Sequence, residues 1–529
     1  MRERQQRDSS LISGSVYLIT SNGTTISLPI PSESRHDPLN WTEKKRWLAF
    51  FVVSLGVYTG VSPLQGASLT LNGIAIEFLK DDIAPFSIQT LVNFPTLFMG
   101  IGALLWVPLT YAVGRRPIFI LAALLLFIAC TGAAFSTTFF QLLGCLCLAT
   151  LSEGFTFTVL LLIIIDLTFI HQRPLVLASV FSVNTFLSQL TLSFMPFITN
   201  NGIEWRRFYY IWALASGMAF LAVLFLFPET YFKRPAVAYD GRVFVQTASE
   251  KVAIYEDDAS IYNKELPDAP ARRFGDMVRE QFYCARSSRL SWQSMLMCFP
   301  QIFVCFFNPL IIVACMAFAA NFISVGFMAG SISLVLSLPP YALSTSQFFV
   351  VNMSAAVGYL VGCPFGAVLL FRVLRILARK NKGVREAEHY LVGYIIPIAA
   401  GALSILLYGL AIESRWHYSV HAFTWGLASF SFAAVATTTF LWITEAFPRW
   451  AAPAVAVIAI GGYCSTFAVS FGFDIWVKEQ GVKTLCIGLM VSQMVTGLVL
   501  MPAVFWGKSL RQRIHGRWAE RREGALRPF

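Results

Sequence analysis

The chain has 529 residues, of which 56% are hydrophobic and only 13% charged. Its mean hydropathy is +0.63, and it carries 47 Phe and 13 Trp. A soluble globule with so little charge could not cover its surface, which excludes an ordinary soluble enzyme, a disordered chain and, despite a formal charge of +11, a nucleic-acid binder.

In chain order, residues 1–46 are polar and read as a cytoplasmic segment. A helix needs roughly 20 mostly apolar residues to cross the hydrocarbon core. Windows of that kind predict six spans near 47–67, 87–110, 117–138, 141–165, 174–200 and 207–228. A polar linker over 229–298 follows. Six more spans are expected near 299–327, 345–370, 391–411, 419–443, 453–476 and 483–506, with a cytoplasmic tail over 507–529. The apolar runs do not alternate, so a β-barrel is excluded. In lipid every backbone amide must be paired within its own element, which leaves helices. The expected fold is therefore an all-α membrane protein of twelve transmembrane helices.

Of the 40 Lys and Arg, 34 fall on one side of this twelve-span layout. The positive-inside rule puts that side, with both termini and the linker, in the cytoplasm. The basic excess is thus a topology signal. Ten Cys are scattered without metal-binding spacing and read as small apolar residues. No metal or cofactor is expected. No GxxxxGK[ST], HExxH or Ser-His-Asp arrangement points to an enzyme or an ATP-driven pump.

The halves 47–228 and 299–506 echo each other. Span four ends in Asp166, then His171-Gln172-Arg173, and span ten ends in Glu445, then Arg449. A parallel six-span repeat places a substrate site near the midplane between two pseudo-symmetric six-helix bundles. Asp37-Pro38-Leu39-Asn40-Trp41 precedes span one, and Gly114-Arg115-Arg116-Pro117 follows span two. Pro228-Glu229-Thr230 closes span six, and a basic–acidic run from Ala378 to Glu388 follows span eight. In these segments the sequence resembles the major facilitator superfamily, and within it the fungal twelve-span drug:proton antiporter-like group. It departs from the superfamily pattern at Tyr111, where an acid is usual, and at Glu445, where an aspartate is usual. The glycine-rich span-five motif of antiporters is not recognisable around Asn184 to Gln189.

An ionisable group near the bilayer centre costs about 2.5–3.5 kcal/mol on insertion scales, so it is a functional candidate by default. Glu153 lies roughly 18 Å along span four, among apolar neighbours. Two readings stand for it. It is the proton-coupling acid or a contact for a cationic substrate, or it is a glutamate bonded to a neighbouring helix. The resemblance implies a conformational latch in which Arg115 and Arg116 meet Asp166. Glu445 and Arg449 form the analogue in the second half. Tyr58, Asn93, Asn184, Gln189, Asn308, Trp425 and Tyr463 are candidates for the cavity wall, set against packing roles.

The expected function is proton-coupled secondary transport of a small organic molecule by alternating access. The resemblance implies efflux of a drug-like compound or secondary metabolite by a monomer at the plasma membrane. The vacuolar membrane, an uptake symporter for a cationic nutrient such as a polyamine, and a non-transporting receptor are the alternatives. The expected partners are the substrate, protons and the lipid bilayer, with no nucleic acid.

Overall fold

The computed structural model describes residues 15–17, 37–78, 83, 86–232, 292–337, 341–380, 384–447, 450–503, 506–507 and 509–510. Among these, eleven helices are long and apolar enough to cross a membrane. In the first half they are Glu43–Glu77, Thr90–Val113, Arg115–Ala134, Phe139–Leu167, Arg173–Ile198 and Arg206–Leu226. In the second half they are Pro309–Ser337, Ala387–Glu413, Tyr418–Ala446, Ala451–Phe473 and Ile475–Leu500. Thr345–Pro364 completes the set of twelve, in the place expected for span eight.

Three spans differ from the sequence reading by more than a few residues: spans one and seven, and span twelve, which is Ile475–Leu500 in place of 483–506. Span one is longer than 47–67, because its helix is rebuilt across a kink at Val61 rather than ended there. Pro63 has no amide hydrogen to give the Thr59 carbonyl four residues back. The indole Nε1 of Trp212, from span six, donates to that carbonyl at 3.0 Å instead. Span seven is shifted from 299–327 to Pro309–Ser337. The residues before it form a separate helix, Trp292–Phe306. Pro309 cannot donate into the preceding turn, and the Asn308 side chain accepts from the Leu310 amide at 3.1 Å, so a new helix starts there.

Within each bundle the helices approach closely where glycine permits it. A Cβ on Gly154 of span four would sit 2.4 Å from the Met99 carbonyl oxygen of span two. A Cβ on Gly358 of span eight would sit 2.0 Å from the Gly426 carbonyl oxygen of span ten. Small residues at such crossings let backbones pack without a hydrophobic driving force between helices. The bundles share a second feature. Ser152 of span four donates to the Ala122 carbonyl of span three at 2.6 Å, and Ser431 of span ten donates to the Pro397 carbonyl of span nine at 2.7 Å.

The bundles meet along two seams. Span two meets span eleven, with the Phe94 and Phe467 rings 5.8 Å apart. Span five meets span eight, where a Cβ on Gly366 would lie 2.7 Å from the Ala178 methyl and the Phe194 and Phe349 rings are 5.0 Å apart. Span four continues past Glu153 through a π-helical turn, Thr156–Leu160. Such turns often mark functional segments of helices. Two short strands, β1 (Ser15–Tyr17) and β2 (Val384–Glu386), pair antiparallel with Val16 opposite Arg385.

Candidate functional site

A cavity of about 320 Å³ lies between the bundles. Its wall comes from spans one, two and four of the first half and from spans seven, eight, ten and eleven of the second, with Ile412 from the end of span nine and Val477, Lys478 and Val482 from the first turns of span twelve. Glu153 is at the midpoint of Phe139–Leu167 and stands in this wall. It is 3% exposed, and its Oε2 has no hydrogen-bond partner. Lys478, at the start of span twelve, is the other charged residue among the described wall residues.

The rest of the wall is aromatic and amide-rich. Phe157, Phe322, Phe327, Phe432, Phe473 and Tyr359 supply rings, and Gln65, Gln89 and Asn93 supply amides. Phe157, Phe322, Phe432 and Tyr463 form a connected layer. Phe322 lies 5.1 Å from Tyr463 and 5.6 Å from Phe432, and Phe157 lies 6.3 Å from Tyr463 and 6.4 Å from Phe432. Behind the layer, toward Leu161, Leu177 and Phe440, only a gap of about 30 Å³ remains. Seen from Glu153, the cavity runs toward the end of the molecule that carries Lys478 and is shut toward the end that carries Asp166 and Glu445. It is bridged near its mouth, where Ser68 donates to the Ala329 carbonyl at 2.6 Å and Asn72 donates to Ser337 Oγ at 2.8 Å.

Of the cavity candidates read from sequence, only Asn93 is among the described wall residues. Tyr58 lies inside the first bundle, its hydroxyl 3.0 Å from Thr191 Oγ1 and its ring against Trp212. Asn184 donates to the Val180 carbonyl of its own helix at 2.6 Å. Asn308 caps span seven. Gln189 and Trp425 are buried away from the wall. Tyr463 is fully buried directly behind the wall, against Phe157 and Phe322. A polar residue in a span reports burial, and its helix face decides which side it is buried on. Sequence reading missed Gln65 and Gln89 for that reason.

The second constellation is at the shut end. Arg115 Nε lies 3.4 Å from Asp166 Oδ2. Its Nη1 donates to Thr110 Oγ1 at 2.7 Å, and its guanidinium lies 5.4 Å from the Tyr111 ring and 5.8 Å from the Tyr231 ring. The usual acid at position 111 is thus replaced by a ring face, which attracts a cation through its quadrupole. Arg116 reaches the other way: its Nη2 donates to the Leu224 carbonyl at 2.9 Å.

Glu229 is a third member that the sequence reading placed only in a motif. Its Oε1 accepts from the Arg115 amide at 3.0 Å and the Tyr231 amide at 2.8 Å, and its Oε2 accepts from the Arg116 amide at 3.2 Å. These amides include the first two of span three, where the helix dipole favours a negative charge. Gly114, at φ 107°, makes the turn, and a Cβ there would meet Glu229 Oε2 at 2.7 Å. Burial pushes the Glu229 carboxyl up from its ordinary value, against the pull of the three amides and of Arg115. In the second half, Glu445 Oε1 accepts from the Tyr390 hydroxyl at 2.8 Å, and Arg449 lies outside the described residues.

With this geometry in view, comparison with known proteins gives the family. The sequence profile of the Major Facilitator Superfamily matches residues 46–473. An uncharacterized MFS-type transporter of Schizosaccharomyces pombe is 21% identical over 94% of this chain and 89% of its own. Protein HOL1 of Saccharomyces cerevisiae is 21% identical over 96% and 93%. The efflux pump radE of Floropilus chiversii is 23% identical over 80% and 73%. Among solved structures, the xylose transporter XylE of E. coli, in a partially occluded inward-open conformation, superimposes with a TM-score of 0.55. It is 14% identical, covering 87% of this chain and 97% of that one.

Proposed function

This chain belongs to the Major Facilitator Superfamily, and on that premise we propose that it is a proton-coupled transporter that exports a drug-like organic molecule by alternating access. The observation that carries this reading is the buried, unpartnered Glu153 oxygen in the wall of the cavity between the bundles. A carboxylate at that depth is costly when charged and alone. A proton or a cationic group on the cargo removes that cost, so the two compete for one site. Competition of this kind couples their movements: cargo leaves as the proton arrives.

Binding is the work of the aromatic wall, which suits a flat apolar body and attracts a cation to ring faces. Arg115, Asp166 and Glu229 all lie in the first bundle, so in this reading they brace the cytoplasmic ends of spans three, four and six as one unit while the bundles exchange sides. The relative named as an efflux pump supports export over uptake. In this reading the protein works as a monomer at the plasma membrane with both termini in the cytoplasm.

The test is proton movement in proteoliposomes of the purified chain under an imposed pH gradient, with a panel of organic amines and neutral compounds. Substrate-triggered proton flux is expected, lost in Glu153→Gln. Flux that persists unchanged in that variant overturns the reading.

A further inference from the structure

A second buried polar group without a partner stands directly behind the cavity wall. Tyr463 of span eleven is fully buried, and its hydroxyl has no hydrogen-bond partner. The two come from opposite bundles and flank the same turn of span two. A Cβ on Gly154, next to Glu153, would touch the Met99 carbonyl at 2.4 Å, and a Cβ on Gly100 would lie 3.7 Å from the Tyr463 Cβ. Phe157, one turn beyond Glu153, packs on the Tyr463 ring. Leaving such a group unsatisfied is costly, because burial strips its water and gives nothing in return.

The other hydroxyls at the cavity have already spent their protons. Ser68 donates to the Ala329 carbonyl, Thr96 to Asn93, Ser331 to Phe327, Thr466 to Gly462 and Ser470 to Phe467. Tyr359 has Gln65 and Ser429 as side-chain partners. Among the hydroxyls in the described wall and directly behind it, that of Tyr463 is therefore the uncommitted donor, and Glu153 Oε2 is an uncommitted acceptor.

We propose that the site selects a protonated amine that also bears an oxygen acceptor a few bonds from its nitrogen. The ammonium donates to Glu153, and the acceptor, entering between the Phe157 and Phe322 rings that stand before Tyr463, receives the Tyr463 hydroxyl proton. An amine without the acceptor satisfies Glu153 and leaves Tyr463 empty. A site built around a hydrogen bond discriminates against the analogue that cannot make it. This inference rests on the reading of Glu153 as the group that faces the cargo, and it adds the second contact.

The test uses two matched probes, benzyloxyethylamine and phenylbutylamine. They share the ring, the ammonium and the chain length, and differ by one ether oxygen in place of a methylene. Binding is measured on the purified full-length protein in nanodiscs. The ether is expected to bind about fivefold more tightly, the size of one neutral hydrogen bond. Tyr463→Phe should bring that ratio close to one and leave phenylbutylamine affinity unchanged, which also reports that the variant is folded. Glu153→Gln should weaken both probes.

Equal binding of the two probes by the native protein overturns the inference, with or without a folded Tyr463→Phe. So does a preference for the ether that survives Tyr463→Phe, or the failure of both probes to bind at millimolar concentration. If Glu153→Gln leaves both affinities unchanged, it is the role of Glu153 itself that fails. If Glu153→Gln weakens both but the native ratio is one, only the Tyr463 contact fails.

Discussion

The two bundles share a scaffold and differ in what it carries. In the first, Ser152 ties span four to span three; in the second, Ser431 ties span ten to span nine. The residue after each serine faces the cavity. In the first bundle it is Glu153 and in the second it is Phe432. The bundles' other ends differ in the same sense. The first has an ion pair, Arg115–Asp166, with the carboxylate of Glu229 capping span three. The second has a carboxylate–hydroxyl bond, Glu445–Tyr390. A duplicated architecture can therefore divide its labour, with charge chemistry in one half and the larger share of the aromatic wall in the other.

The largest expected effect is on the Glu153/Phe432 contrast. Glu153→Gln should reduce substrate-coupled proton flux in proteoliposomes to the background of empty liposomes. Adding Phe432→Glu to that variant should not restore it, because the wall opposite would lose its ring layer. Restored flux in the double variant would mean that the halves are interchangeable at this depth.

Next comes the latch. Asp166→Asn leaves the buried Arg115 guanidinium without its carboxylate, and removing one partner of a buried pair costs about 3–5 kcal/mol. The lower end of that range is expected, since Asp166 is 21% exposed and two tyrosine rings still face the arginine. Thermal unfolding in detergent should show a clear drop. Arg116→Ala should cost less, because Arg116 donates to a helix-end carbonyl. An equal cost for the two variants would return Arg116 to the latch.

Glu229 gives the comparison a pH dependence. Its folded-state carboxyl holds a proton to higher pH than the unfolded chain does, because burial pushes it up. The folded state therefore binds more protons in that window, so the Glu229 contribution to stability is present in acid and is lost as pH rises through the folded value. Glu229→Gln should flatten that fall. A stability profile with the same slope in Glu229→Gln and the native protein would contradict the assignment.

The smallest effect concerns the shared scaffold. Ser152→Ala should cost about 1 kcal/mol, one net hydrogen bond, by thermal unfolding, and Ser431→Ala about twice that, because Ser431 Oγ also accepts from Asn321 Nδ2 at 2.8 Å. A measurable loss at each serine supports their correspondence. A loss from only one of them would show that the other merely fills space.

Much of this was legible in the chain. Twelve apolar runs give twelve helices because a span must be long, apolar and internally hydrogen-bonded. Glu153 stood out because a lone carboxylate in such a run has few explanations. Asp166 and Arg115 stood out as an acid and a base at neighbouring span ends. Composition was less able to resolve continuous apolar sequence. Residues 299–338 read as one run, yet Asn308-Pro309 divides them into two helices. Hydropathy does not register a missing amide hydrogen.

What the sequence alone determined is depth: which residues enter the membrane, and how far, follows from one-dimensional transfer energetics along each helix. What only the tertiary structure decided is facing. Tyr58 and Trp425 lie at suitable depths and turn away from the cavity, while Gln65 and Gln89 turn into it. Arg115 and Arg116 are adjacent and point to different partners. Glu229, more than a hundred residues from Arg115 in the chain, closes the first turn of span three. Rotation about a helix axis is set by packing against neighbours that come from elsewhere in the chain, and no local stretch of sequence contains it.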